Sequence, residues 1–143
     1  SDGKIDEADK RGLEAFLRLG ASPSDRNLVD FYVDGGLTYA FDEKGKDAVG
    51  LGVAYAHVSD RASALDRDAR FFGGGVRPIR DHELALELTY HAKSKLLPRW
   101  LLLQPDLQLI LHPGGHVPDP TDPTKQRAIR DAVVVGVRTG IAF

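Results

Sequence analysis

The sequence contains no cysteine, and it has no excess of basic residues. The absence of cysteine excludes a disulfide bond, a thiolate metal site and cysteine-based catalysis. A formal net charge of -2 and a pI near 6.2 provide no basic field that would attract phosphates. Nucleic acid is therefore not predicted as a partner.

A long apolar run is also missing. The most apolar stretch, WLLLQPDLQLIL at 100–111, is interrupted by polar residues and by Pro105. It falls short of the roughly 20 residues that a membrane-spanning helix needs. A membrane-spanning strand needs only about 10 residues and one apolar face, so the sequence leaves that structure open.

Six segments instead alternate between hydrophobic and polar or small residues, which predicts strands with two different faces. They are residues 11–20, 27–40, 48–58, 82–92, 99–112 and 132–143. One face is nearly free of charge, whereas the other carries carboxylates, amides and arginines among glycines and alanines. This pattern is typical of lipid outside and water inside, although a soluble sandwich also alternates. We expect an all-β fold, an antiparallel transmembrane β-barrel segment of about six strands, after a flexible lead-in at residues 1–10. A soluble lectin-like module is the alternative.

The connections between the segments differ in length. Residues 59–80 and 112–130 are long, whereas residues 41–47 and 93–98 are short. Outer-membrane barrels have long external loops and short periplasmic turns, and this sequence fits if its last residue lies on the periplasmic side. The first connection, 20–26, would be external but short, so it supports neither orientation.

Three segments would run inward in this orientation, and the last outward-facing residue of each is aromatic. These residues are Tyr39, Tyr90 and Phe143, all with the apolar parity. Aromatic rings favour the boundary between membrane and water, so we expect a partial girdle there.

The order of several motifs resembles the C-terminal portion of the carbohydrate-selective porins of the OprB family, from about Arg11 to Phe143. The most specific elements are GLGVAYA at 50–56, LQPDLQ at 103–108, HPGG at 112–115 and the closing alternation. The resemblance implies a bacterial outer-membrane barrel of sixteen strands that passes small sugars passively. It also implies that residues 11–143 are completed by the remaining strands or by other copies. Outer-membrane lipid would contact the apolar face, and the assembly machinery would recognise the terminal strand with Phe143.

Passive sugar selectivity needs hydrogen-bonding groups around water, and it needs no cofactor, metal or reaction. The residues with polar parity are therefore the candidates for the lumen. They are Glu14, Arg18, Asp30, Tyr32, Asp34, Glu83, Glu87, Gln104, Asp106, Gln108 and Arg138. For any one of them, the plainer interpretation is solvation of the barrel wall and pairing across strands.

Three other motifs have plainer interpretations than the chemistry they suggest. HPGGH at 112–116, with Asp119 and Asp122, contains metal-ligand types, but its prolines and glycines are typical of an exposed turn. FFGGGVRP at 71–78 lacks the surroundings of a phosphate loop. Glu83 and Glu87 share a strand face without other features of a glycosidase. The sequence therefore predicts no metal, no cofactor and no enzyme.

Overall fold

A computed structural model describes residues 11–41, 47–92, 97–98 and 100–141. Within these ranges the chain forms six antiparallel strands and one helix. The elements, in chain order, are β1 (Gly12–Ala21), β2 (Val29–Ala40), β3 (Ala48–Val58), α1 (Asp60–Gly73), β4 (His82–His91), β5 (Leu101–Leu111) and β6 (Ala132–Ile141). The strands form one sheet in sequence order, so each strand pairs with its neighbours along the chain. The all-β antiparallel prediction is confirmed.

The sheet is a single layer. Among the described residues, only Val58, at the end of β3, and Ala62, in α1, are buried hydrophobic residues. The large aliphatic side chains along the strands are exposed, with 69% of Leu17 and 76% of Val135 accessible. A sandwich would cover these side chains with a second sheet, so the described residues give the soluble lectin-like alternative no support.

The register places the two predicted faces on opposite sides of every strand. Cross-strand partners such as Leu17 and Gly35, or Leu51 and Leu88, share the apolar face, because paired residues point to the same side. This face carries no Asp, Glu, Lys or Arg in any of the six strands. The sheet is open, since β1 and β6 form its edges within the described residues.

Two local irregularities interrupt the ladder. Between Val29 and Phe31 the register of β2 against β3 shifts, which leaves Asp30 as the extra residue of a β-bulge. The β4–β5 ladder runs to the pair Thr89 and Asp106 and resumes only at an isolated bridge between Ala92 and Leu103. Pro105 lies in the gap, and its missing N–H explains the interruption.

The long connection at 59–80 is not a loop throughout, since it contains the helix α1. Ser59 caps the first turn, because its side-chain oxygen accepts from Ala62 N at 3.4 Å. Gly74 ends the helix in the left-handed conformation with φ of 65°. These capping residues were the available sequence signal for this helix. No helix in the described ranges is long and apolar enough to span a membrane.

Candidate functional site: the polar face and its loop end

The polar face of the sheet contains ten of the eleven predicted lumen residues, because the register aligns them across neighbouring strands. These ten are Glu14, Arg18, Tyr32, Asp34, Glu83, Glu87, Gln104, Asp106, Gln108 and Arg138. The face also carries apolar side chains, such as Phe16 and Ile110. It is therefore mixed rather than uniformly polar.

Asp30 is the exception. It lies at the β-bulge, where its Oδ1 is 2.8 Å from Nδ1 of His57, a residue with the parity of the apolar face. The contact joins neighbouring strands close to the loop end of the sheet. The structure therefore places Asp30 in a side-chain pair at the bulge rather than in the polar row of β2.

Small residues along β3 form the floor of a trough on the polar face. Gly50, Gly52 and Ala54 have no side chain beyond Cβ, whereas four of their six partners on β2 and β4 are larger, namely Asp34, Thr38, Glu87 and Thr89. The resulting depression has a volume of about 550 Å³ and is lined on its two sides by residues that include Phe16 and Glu87. The trough runs along β3 between two sets of polar groups.

One side of the trough is held by an ion pair between β1 and β2. Arg18 Nε donates to Asp34 Oδ1 at 2.9 Å, and its terminal amino group also contacts the same carboxylate. This two-point contact gives the pair a defined orientation. The Arg18 guanidinium carbon lies 5.8 Å from the centre of the Phe16 ring, so a cation and an aromatic ring lie together at this side.

The Phe16 ring lies directly over Gly36. A Cβ built on Gly36 would be 2.7 Å from Cε1 of Phe16 and 3.1 Å from the carbonyl oxygen of Leu51. The paired glycine on β3, Gly52, is open by comparison, since its nearest neighbour is the Cβ of Glu87 at 3.7 Å. Gly36 is therefore needed for the position of the Phe16 ring. Gly52 has room for a side chain, and its lack of one deepens the trough.

The other side of the trough is a hydrogen-bonded row on β4 and β5. Glu87 accepts from Thr89 Oγ1 at 2.8 Å and from Gln108 Nε2 at 3.3 Å. Asp106 lies beside Gln108 and also presses against Gly136, where an added Cβ would be 2.5 Å from its Oδ1. Carboxylates thus remain accessible as acceptors along this side.

Gln104 and Arg138 are cross-strand partners on β5 and β6. Glu83 lies toward the loop end and accepts from Gly114 N at 2.6 Å, so its carboxylate holds the turn after β5. In the β1–β2 ladder, Glu14 is the partner of Thr38, and Tyr32 is the partner of Gly20.

The predicted girdle residues Tyr39 and Tyr90 lie at one level of the apolar face, since both pair with Val49. Phe41 stacks on Tyr90 with ring centres 6.1 Å apart, which adds a third aromatic ring to this end. Phe143 lies outside the described residues, so its place in the girdle stays a prediction.

The opposite end of the sheet carries α1 and the connection between β5 and β6. Arg80 donates to both oxygens of Asp66, from Nε to Oδ2 at 2.8 Å and from its terminal amino group to Oδ1 at 2.9 Å. Partial burial opposes the charge on Asp66, but the contacts with Arg80 outweigh it and lower the pKa of Asp66. The pair fastens α1 to the segment that enters β4.

A cluster of imidazoles lies between these two connections. His112 and His116 stack with ring centres 3.6 Å apart, and His82 packs edge-on against His112 at 4.6 Å. All three surround Asp81, which accepts from Nδ1 of His116 at 2.8 Å. The sequence suggested Asp119 and Asp122 as carboxylates beside these histidines and gave no sign of Asp81, which lies 31 residues before His112. Only folding reveals this proximity.

Two Asp-Pro-Thr motifs, at 119–121 and 122–124, fold the connection between β5 and β6. Asp119 accepts from the backbone N and the hydroxyl of Thr121, and both bonds go to Oδ1. Asp122 uses both oxygens: Oδ1 accepts from the N and hydroxyl of Thr124, and Oδ2 accepts from the backbone N of Gln126 and Arg127. Asp122 is therefore the central acceptor of this connection.

We expect Asp122→Asn to loosen this connection and Asp119→Asn to leave it intact. In Asp122→Asn, the new amide nitrogen would face the backbone N–H donors of Gln126 and Arg127, which it cannot accept from. In Asp119→Asn, the amide oxygen can still accept from Thr121, because Asp119 uses only one of its oxygens. Limited proteolysis with trypsin, which can cut after Lys125, should proceed about tenfold faster in the first variant. Equal cleavage rates in the two variants would contradict this role for Asp122.

The pH dependence of the same connection follows from the Asp122 carboxyl. The hydroxyl of Thr124 and the backbone donors hold the pKa of Asp122 well below its usual range, although removal from water opposes them. Because the folded pKa is lowered, the stabilisation is complete above the ordinary aspartate pKa of about 4 and is lost as the pH falls through the lowered value. Trypsin is inactive in acid, so pepsin cleavage or hydrogen exchange is the suitable measurement. The connection between β5 and β6 should remain protected at pH 5 and lose its protection only in stronger acid.

Comparison with known proteins places this architecture among porins. The family model described as carbohydrate-selective porin, OprB family, matches residues 3–143. Porin B of Pseudomonas aeruginosa is 34% identical over 114 residues, which cover 73% of this chain and 24% of that protein. A high-pH structure of Pseudomonas putida OprB superposes with a TM-score of 0.73 and 29% identity, covering 93% of this chain and 31% of that one.

The strands of this chain form a single meander with one exposed apolar face and one polar face. This architecture, together with the match to the OprB structure, identifies the sheet as a segment of an outer-membrane β-barrel. The chain spans about a quarter of the length of Porin B and about a third of the OprB structure. It belongs to the OprB family of carbohydrate-selective porins, and the family resemblance is confirmed. Members of this family are channels of the outer membrane of Gram-negative bacteria.

Proposed function

We propose that these six strands form part of the wall of a passive, sugar-selective diffusion channel. The observation that carries the proposal is the separation of the two faces: one is apolar and exposed, and the other places hydrogen-bonding groups around a trough. The apolar face contacts outer-membrane lipid, and the polar face borders water. No step of this function is a chemical reaction.

The open sheet requires completion. Backbone N–H and C=O groups at a sheet edge cannot remain unpaired in hydrocarbon, so β1 and β6 need further partners. Additional strands of the same barrel, or other copies of the chain, supply these partners. The length ratio to the porin relatives favours additional strands, because the six strands match about a third of the OprB structure.

The trough, which Phe16 and Glu87 line, and the polar groups beside it supply three kinds of contact that suit a sugar. Glu87 and Asp106 accept hydrogen bonds from hydroxyl groups, and Arg18 and Gln108 donate them. The Phe16 ring offers an apolar surface for the C–H face of a pyranose. The polar contacts exchange readily with water, as passage through a channel requires.

The test is solute flux through the full-length product of the gene that encodes this chain, reconstituted in liposomes. Swelling in a neutral hexose should exceed swelling in a neutral amino acid of similar size. We expect Glu87→Ala to reduce this preference about tenfold, the lower end of the effect of one hydrogen bond to a charged group. Asp68→Ala, which removes an exposed carboxylate on α1, is the control and should retain the preference.

Two outcomes would contradict the proposal. If the reconstituted protein admits both solutes equally, the channel is not selective for sugars. If Glu87→Ala retains the full preference while the unmodified protein shows it, selectivity lies outside the trough.

A further inference from the structure

The imidazole cluster at the loop end brings together three groups of metal-binding chemistry. One ligand atom from each of Asp81, His112 and His116 lies within 4.8 Å of the other two. Asp81 immediately precedes β4, whereas the histidines follow β5, so the cluster joins two separate connections of the chain. The cluster lies apart from the trough and is not used by the proposed channel.

The turn at 112–116 adopts an uncommon backbone that brings both imidazoles to one side. His112 has φ of 52° and His116 has φ of 69°, a left-handed conformation that few residues other than glycine adopt. Gly114 and Gly115 between them are also left-handed. Such positions persist where the surrounding structure requires them, and they concentrate at functional sites.

His112 supplies an independent sign of a missing partner. Its Nδ1 is buried and has no hydrogen-bond partner among the described residues, and the nearest carboxylate oxygen, on Asp81, is 3.9 Å away. Buried polar atoms are normally paired, because an unpaired one loses its hydration without compensation. A ligand placed between His112 and Asp81 would satisfy this atom.

We propose that Asp81, His112 and His116 bind one divalent transition-metal ion, for which Zn²⁺ is the reference. Two imidazoles and one carboxylate suit zinc and the other divalent first-row transition metals, whereas calcium and magnesium prefer oxygen ligands alone. Ligand atoms around a tetrahedral zinc lie about 3.4 Å apart. The separations from Asp81 Oδ1 to Nδ1 of His116 and His112 are 2.8 and 3.9 Å, so small side-chain movements produce this arrangement.

Groups around Asp81 already orient this ligand. His82 donates its backbone N–H to Asp81 Oδ1 at 2.6 Å, and its ring Nδ1 lies 3.2 Å from Oδ2. Asp81 N in turn donates to Gly115 O at 2.9 Å, which ties the carboxylate to the histidine turn. Partners of this kind fix the orientation of metal ligands and strengthen binding. The remaining coordination position is left for water.

The bound ion clamps the two connections to each other. The turn after β5 would be joined to the start of β4 through metal bonds in addition to the backbone contact between Asp81 and Gly115. This consequence does not depend on whether the channel selects sugars. It predicts that zinc protects the 112–131 connection from trypsin.

The experiment is calorimetric titration of Zn²⁺ into the full-length gene product in detergent after treatment with a chelator. One ion should bind per chain, and His112→Ala and His116→Ala should each weaken binding about 100-fold or more. His91→Ala is the control, because His91 lies at the other end of β4, and it should bind as the unmodified protein does. Zinc-dependent protection from trypsin should disappear in the first two variants only.

Three results would overturn the proposal: no binding above a protein-free blank, binding that persists in both histidine variants, or a stoichiometry far from one ion per chain. X-ray absorption of the zinc-loaded, unmodified protein does not depend on the folding of any variant. It should show two imidazole nitrogens and a carboxylate oxygen at about 2.0–2.2 Å, and fewer than two imidazoles would equally overturn the proposal.

Discussion

Replacing Leu86 by arginine is expected to lower the free energy of unfolding of the barrel by about 2–4 kcal/mol. Leu86 lies in the middle of β4, on the apolar face, between its partners Val53 and Leu109. The guanidinium would meet acyl chains near the centre of the bilayer, where no water or carboxylate on this face compensates its charge. Urea unfolding in phospholipid vesicles measures this free energy.

Ala85→Arg is the matched control for this substitution. Ala85 precedes Leu86 and therefore points to the polar face, where its partners are Ala54 and Ile110. The same charge would there lie beside water and should change the unfolding free energy by much less. Equal destabilisation by the two substitutions would show that the assignment of the two faces is wrong.

Gly36→Val is expected to destabilise the fold by about 1–3 kcal/mol, the usual effect of inserting atoms into an occupied space. The Cβ alone would be 2.7 Å from the Phe16 ring and 3.1 Å from a backbone oxygen. The ring can turn away, but the carbonyl of Leu51 belongs to the β2–β3 ladder and yields little. Chemical denaturation in detergent, with near-ultraviolet circular dichroism for the aromatic environment, measures both effects.

Gly52→Val provides the matched comparison, because Gly52 is the β3 partner of Gly36 on the same face. Its Cβ would meet only the Cβ of Glu87 at an ordinary 3.7 Å. Valine, which is β-branched, also has a higher strand propensity than glycine, so the fold should be unchanged or slightly more stable. If both variants are equally stable, Phe16 does not occupy the position over Gly36.

The two ends of the sheet differ in construction. At the girdle end, aromatic rings such as Tyr39 and Tyr90 share a level on the apolar face. At the other end, carboxylates such as Asp66, Asp81 and Asp122 bind side chains and backbone donors of the two long connections. The loop end is thus held mainly by polar contacts, since few hydrophobic residues are buried among the described ones.

Strand positions and faces could be predicted from the sequence, because alternation has a period of two residues and is written directly into the chain. Five of the six predicted segments contain their strand, and β1 extends one residue beyond its segment, to Ala21. Glu87, Asp106 and Arg138 share a face with Arg18 because each has the polar parity of its own strand. Their place in the lumen remains a prediction, which the flux experiment tests.

The sequence by itself thus determined six alternating strands, their two faces and a family resemblance. Only the tertiary structure decided that Asp30 pairs with His57 at a bulge, that Phe16 covers Gly36, and that Asp81 meets His112 and His116. Local alternation specifies which way a side chain points along its own strand. Register shifts and loop folding depend on contacts between distant segments, and no periodic pattern encodes those contacts.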